Sequence, residues 1–197
     1  ERDRAVVIFR SNTDADEQKL QYVPAETRTQ LERNEFSAPA GWTFLTWNTD
    51  KSGSLTGTPY TDAGYITLSK KATQDLYAIW YKNKGTAGIE LPGKDSRTDT
   101  KDDIKITPNP DAVNPGSPSI NDKGGITVPG GNIIETPNGN YKVPENEKSV
   151  IVYPDGTIVV PDGGSIIGPD GNPIPGETII KPGTDKPDKN PDFPSDF

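Results

Sequence analysis

Asn48, Asp50 and Ser52 set side-chain oxygens at alternate positions, and Gly53 follows them. A calcium loop begins this way, because a hard cation collects oxygen ligands from every second residue and needs a glycine at the sharp turn. The position where a bidentate glutamate should close such a loop is Pro59. The three residues are therefore calcium candidates without a closing ligand, and an ordinary hairpin loop is expected. Asp155, Asp162 and Asp170 each precede a glycine, at spacings of 7 and 8 residues. Calcium-binding solenoids carry denser glycine at a fixed nonapeptide spacing, so these aspartates read as turn residues that bond their own backbone. Trp42, Trp47 and Trp80 have the flat apolar faces that stack on sugars or anchor a partner.

The chain contains no His and no Cys. This removes the commonest general base and metal ligand, any thiolate chemistry and any disulfide framework. Catalysis would have to come from carboxylates, Lys, Tyr or Ser alone, and no pair of them stands out. No catalytic residue, cofactor or enzymatic activity is expected.

Only 30% of the 197 residues are hydrophobic, and there are 20 Gly and 20 Pro. That is too little apolar matter for a single large core, so small β-units joined by turns are expected. The net charge of −8 is unevenly placed. Residues 1–85 hold 11 basic and 11 acidic side chains, so the whole excess lies in residues 86–197. Without a basic patch, nucleic-acid binding is disfavoured. No apolar run reaches the length of a membrane span, so no membrane insertion is expected of this segment. Beginning at Glu1, the chain reads as a mature or excised piece of a longer protein.

The elements that would position these residues fall into two halves. Ala5-Val6-Val7-Ile8-Phe9 and Leu20-Gln21-Tyr22-Val23 read as strands. Gly41-Trp42-Thr43-Phe44-Leu45-Thr46-Trp47 and Asp75-Leu76-Tyr77-Ala78-Ile79-Trp80 carry large side chains on both faces, as strands covered on both sides would. Between them lies the turn-rich stretch from Asn48 to Ser54, leading to Tyr60. Together with Leu31, Asn34 and Phe36, this order of aromatic strand, glycine loop and closing Leu-Tyr-Ala-x-Trp strand resembles the internalin-type B repeat, also called the Listeria–Bacteroides repeat, over about residues 4–81. Thr46 stands where that family usually has Gly, and Trp42 where Tyr is usual. The resemblance implies a small β-grasp-like module of a bacterial surface protein, with its tryptophans in the core and no shared catalytic residues. Segments 13–21 and 61–73 are the candidate places for one short helix, and the resemblance would put one helical or irregular crossover on the sheet.

The composition changes after Tyr81: residues 86–197 contain 17 of the prolines and 15 of the glycines. Residues 86–123 lack periodicity and read as an extended linker with one strand at Ile104-Lys105-Ile106. In residues 124–183 a repeat emerges. Val128-Pro129, Val143-Pro144, Val160-Pro161 and Ile174-Pro175 alternate with Pro137-Asn138-Gly139, Pro154-Asp155-Gly156, Pro169-Asp170-Gly171 and Pro182-Gly183. Val150 to Val160, folded about Pro154-Asp155-Gly156, is a clear hairpin signal. Successive hairpins would form a meander or a solenoid with a thin core, leaning on the first module, a second copy or another protein. The tail 184–197 is Pro-rich and acidic. Its Phe193 and Phe197, with Tyr153 of the repeat, are the candidates for assembly contacts.

The fold expected is mainly β: a B-repeat-like module over 1–85, a linker over 86–123, a β-hairpin repeat over 124–183 and the tail. The expected function is a non-enzymatic extracellular protein of a bacterial cell surface or cell wall. It would act as a stalk, spacer or adhesive module, with a protein or glycan partner at the surface. The alternative is a self-assembling subunit of an extracellular filament or sheet, joined by strand or tail exchange. A third reading is an accessory module of a secreted carbohydrate-active enzyme.

Overall fold

The computed structural model describes residues 3–94 and 103–182. Its strands are, in the first half, β1 (Ala5–Arg10), β2 (Gln18–Val23), β3 (Thr29–Gln30), β4 (Thr43–Asn48), β5 (Pro59–Tyr60), β6 (Tyr65–Ile66) and β7 (Thr73–Asn83). A 3-10 turn, Gly85–Ala87, follows. The second half holds β8 (Ile89–Leu91), β9 (Ile104–Pro108), β10 (Ser119–Ile120), β11 (Ile126–Val128), β12 (Asn132–Thr136) and β13 (Gly139–Val143). It closes with β14 (Val150–Val152), β15 (Ile158–Val160), β16 (Ser165–Ile167), β17 (Pro173–Pro175) and β18 (Thr178–Ile180). The chain is mainly β, with several sheets and no barrel. No helix among the described residues is long and apolar enough to cross a membrane.

In the first unit, β7 lies between β1, which runs parallel to it, and β4, which runs antiparallel. One face of these strands buries Val7, Phe9, Trp47, Leu76, Ala78 and Trp80. The ring of Trp47 meets Phe9 at 4.8 Å and Phe44 at 4.9 Å, and Phe44 meets Trp80 edge-on at 5.7 Å. Such tilted arrangements let the positive edge of one ring meet the negative face of another. The Trp80 Nε1–H donates to the Ser11 carbonyl at 2.9 Å, which satisfies the indole inside the core. The short β3–β6 pair carries Leu31 and Ile66 over this cluster.

No α-helix forms in either candidate crossover. Residues 18–21 belong to β2, whose apolar alternation pairs it with β1 along its full length. In the 61–73 segment, Ala63 and Lys71 hold φ of 55° and 60°, and Tyr65–Ile66 pairs with β3. The strand pair between these two left-handed residues leaves no room for a helical run, which L-residues sustain only at negative φ. The short helix expected in one of these segments is therefore not present.

The second unit is a two-layer sandwich. One layer is the continuation of the large sheet, in the order β17-β16-β13-β12-β9-β8-β7-β1-β2. The other is a five-stranded sheet, β10-β11-β14-β15-β18. Between them lie Leu91, Ile104, Ile106, Ile134, Tyr141 and Ile166 from the first layer and Ile126, Val150, Val152, Ile158, Val160 and Ile180 from the second. Each is 3% exposed or less, and burying such a side chain stabilises the fold by about 1.5–3 kcal/mol. The core is thus thicker than the composition suggests, because β-branched residues of both layers converge on it.

In the second unit, every Val-Pro or Ile-Pro step among the described residues falls where the chain passes from one layer to the other. Val128-Pro129 leaves β11 for β12, Val143-Pro144 leaves β13 for β14, Val160-Pro161 leaves β15 for β16, and Pro175 ends β17 before β18. The aliphatic residue is the last to point into the core. The proline, having no N–H for the ladder, releases the chain from its sheet. The Pro-Asn-Gly and Pro-Asp-Gly turns instead stay within one layer, joining β12 to β13, β14 to β15 and β16 to β17. The hairpin at Pro154 pairs Ile151 with Val159 and Val152 with Ile158, and its Gly156, at φ +99°, donates to the Tyr153 carbonyl at 2.8 Å. Hairpins that alternate between layers make neither a single meander nor a stack of solenoid rungs.

Residues 86–123 are likewise not a plain linker. They supply β8, β9 and β10, and Leu91 and Ile106 are fully buried. The expected strand at 104–106 is present and extends to Pro108. Gly183 and the tail 184–197, with Phe193 and Phe197, lie outside the described residues, as does most of the charged 94–103 cluster.

Candidate functional site

The sequence marked the Asn48–Gly53 loop for chemistry, and the fold places it against the second unit. Alternation along β7 explains the placement. Leu76, Ala78 and Trp80 enter the first core, so Ile79 and Tyr81 face the other way. Tyr81 joins the sandwich core, and Leu45 of β4 packs there too. Ile79 lies beneath Gly53, and Gly53 lies against the Pro154 ring. Beside it Leu55 and Ile151 cover Tyr153, Val159 and Ile179, the outer face of the five-stranded sheet. The two units share a strand and a second apolar interface.

The oxygens of the loop serve this architecture. Asn48 Oδ1 accepts from the Asp50 N–H at 2.8 Å. Asp50 Oδ1 accepts from the Ser52 N–H at 2.9 Å and from its hydroxyl at 2.8 Å. These are turns closed by side chains that bond backbone two residues on. Among the described residues, no three His, Cys, Asp or Glu side chains group to hold a metal. Millimolar calcium should leave the melting temperature within about 1 °C, since a ligand bound only by the native state would raise it. A rise of several degrees in differential scanning calorimetry would contradict this assignment.

Asp155 is the one turn aspartate that enters the interface. It is 6% exposed, and its carboxylate accepts from the Thr157 N–H and hydroxyl, both at 3.0 Å. Burial raises its pKa above the ordinary carboxylate value, and the Asp50 charge adds to the rise, while Thr157 and Ser54 oppose it. The sign follows from linkage. An acid whose pKa is raised on folding binds its proton more tightly in the native state. It therefore favours the fold below the unfolded-chain value near 4, and that gain is lost as pH rises through the folded pKa. Asp155→Asn keeps both acceptor and donor capacity toward Thr157. It should stabilise the chain at pH 7 and flatten this part of the stability profile above the unfolded-chain value near 4. Thermal melts of both chains across that range check it. An unchanged slope would mean that Asp155 titrates alike in the folded and unfolded chains.

The other turn aspartates stay at the surface. Asp170 accepts from the Asn172 backbone at 2.9 Å and side chain at 3.0 Å, which lowers its pKa. Asp162 is exposed, and its carbonyl receives Lys148 Nζ at 3.1 Å. Asp155 and Asp170 stand on hairpins of different layers, so the three form no ladder. Trp42, Trp47 and Trp80 are 6%, 1% and 1% exposed, and Lys82 covers the Trp42 ring at 4.9 Å. They are core residues and offer no stacking platform. Tyr153, named as an assembly contact, is 2% exposed beneath Leu55 and serves the interior. A cavity of about 150 Å³ lies beside Asp155, among Ile104, Tyr141, Ile158 and Ile180. It is well below the ~300–1,000 Å³ of ordinary ligand pockets.

Two features escaped the sequence reading. The Gly53–Pro154 contact joins loops about a hundred residues apart, which no local pattern signals. The exposed side chains of β2, Leu20 at 47% and Tyr22 at 56%, were legible as alternation but not as a surface. Comparison with protein-family models, curated proteins and solved structures gives no match to this chain.

Proposed function

We propose that this chain is a non-enzymatic segment of an extracellular bacterial surface protein, a stiff spacer that holds an adhesive or other surface away from the cell wall. The B-repeat resemblance of residues 4–81 supplies the setting and the β-grasp-like description of the first unit. The Pro-punctuated hairpins of residues 124–183 extend it as a short β-repeat.

The observation that supports the spacer most is the joint. A spacer transmits position only if its parts cannot swivel, and units linked by exposed, flexible segments move by default. Here β7 gives one face to each unit, and the Gly53 loop is clamped under the Pro154 turn. The absence of His and Cys agrees with a role that needs no nucleophile or general base at neutral pH. Partners at the cell surface, protein or glycan, would be bound by what the spacer presents.

Expressed in a bacterium with its natural flanking sequence, the segment should be labelled on intact cells by an impermeant antibody. Label confined to permeabilised cells would overturn the reading.

A further inference from the structure

Open sheet edges invite pairing, and proteins blunt them with prolines, short strands or cover. Among the described residues, the two larger sheets end in five strands. β17 reads Pro173-Ile174-Pro175, so two of its three residues lack an N–H. β5 has two residues and begins at Pro59, and β10 has two residues. The residues of β18 are 1–5% exposed. β2 alone has six residues, no proline and two large apolar side chains in solvent.

The phase of that edge is fixed. The Ser11 N–H donates to the Glu17 carbonyl at 2.9 Å, so Lys19, Gln21 and Val23 bond to β1, and the N–H and C=O of Leu20 and Tyr22 point outward. The Val6 N–H, turned to the Ala72 carbonyl at 2.9 Å, agrees. Across β1, Leu20 and Tyr22 stand opposite Ile8 and Val6, which are half-buried on the same face. Arg4 lies 4.3 Å over the Tyr22 ring.

We propose that β2 is a homodimer edge, at which two copies pair antiparallel about a two-fold axis through Gln21. In that register Leu20 and Tyr22 of the partner subunit form one bonded ring, and the axis generates the second. Each ring uses the groups that point outward. Both side chains fall on one face, so the two apolar patches merge into a stripe that runs from Ile8 to Val6 of the partner subunit. Lys19 faces Val23 of the partner subunit, so no like charges oppose each other. Pro24 falls opposite Gln18 and ends the ladder. Charge also favours a second copy. β2 belongs to the balanced half of the chain, at the opposite end of the strand order from β17, so pairing here keeps the acidic halves apart. The proposal stands independently of the spacer reading.

Sedimentation velocity of the full chain over a concentration series should show a reversible dimer. Leu20→Lys with Tyr22→Lys changes only exposed positions and should weaken it at least about tenfold while leaving the melting temperature of the monomer unchanged. Because the chain has no cysteine, single thiols read the register. Gln21→Cys sits on the axis, where paired Cα atoms approach to about 4.5 Å, and should oxidise to a covalent dimer. Since Gln21 also bonds Gln30 and Glu32 in its own chain, a second pair avoids that site. Leu20→Cys and Tyr22→Cys chains should each stay unlinked alone and couple when mixed. A chain monomeric at every concentration overturns self-pairing and leaves the edge to a strand from a different protein. A dimer whose thiols couple without this pattern overturns the register and the site.

Discussion

Trp80→Ala is expected to lower the melting temperature of the whole chain by on the order of 10 °C, in one transition. Trp80 is 1% exposed, meets Phe44 at 5.7 Å and donates to the Ser11 carbonyl. Truncating a buried tryptophan costs about 3–5 kcal/mol, through lost burial and the cavity left behind. The orphaned Ser11 carbonyl adds to that cost. For a domain of this size, each kcal/mol moves the midpoint by about 2–4 °C. The wider consequence comes from β7. Its other face carries Tyr81 into the sandwich core, and its end, Lys82-Asn83, pairs with β8. Loosening Trp80 therefore destabilises the second unit through the same strand. A melt that splits, with the sandwich persisting at its original temperature, would mean the units are energetically separate.

The second large effect is at Gly53. A Cβ there would stand 2.9 Å from both Cβ and Cγ of Pro154 and 3.3 Å from Ile79 Cγ2, at a φ of +71°. Neither the proline ring nor the loop can yield without opening the joint. Gly53→Val combines a left-handed β-branched residue, roughly 1–2 kcal/mol, with overpacking of typically 1–3 kcal/mol. A loss of about 2–5 kcal/mol is expected in urea unfolding. Gly171 supplies the control, because its φ is +83° and a Cβ there meets nothing within 4 Å. Gly171→Ala should cost about 1 kcal/mol from conformation alone. Gly53→Ala should cost clearly more, and the difference is the packing of the joint. Equal costs for the two alanines would show that the Pro154 contact carries no weight.

What could be read from the sequence follows from range. The Val150–Val160 hairpin was legible because Pro154, Asp155 and Gly156 each meet a local requirement of the turn. The strands around Trp47 and Trp80 were legible as apolar on both faces, which correctly implied cover on both sides. The identity of that cover was not, since it comes from the sandwich core that Tyr81 and Leu45 join and from Pro154 over the Gly53 loop, far along the chain. The Val-Pro steps were visible as a repeat, yet their meaning as layer crossings needs two sheets to cross between. β8 was hidden because Glu90 interrupts its short apolar run. That glutamate is 4% exposed and paired with Lys82 and Lys84, so its burial depends on partners outside the strand. The calcium-like spacing at Asn48, Asp50 and Ser52 was real as a pattern of side-chain oxygens, and the oxygens turned inward to the loop's own N–H groups.

Sharing β7 and a second apolar interface, the two units are expected to fold as one body, and the placement of the tryptophans makes this directly testable. Trp42, Trp47 and Trp80 all lie in the first unit, so tryptophan emission reports that unit alone. Far-ultraviolet circular dichroism reports the strands of both. Equilibrium urea unfolding followed by both signals should give coincident midpoints and slopes, as a single cooperative transition requires. Emission that changes at a different urea concentration from the dichroism would contradict a single folded body, separating the chain into two independent domains.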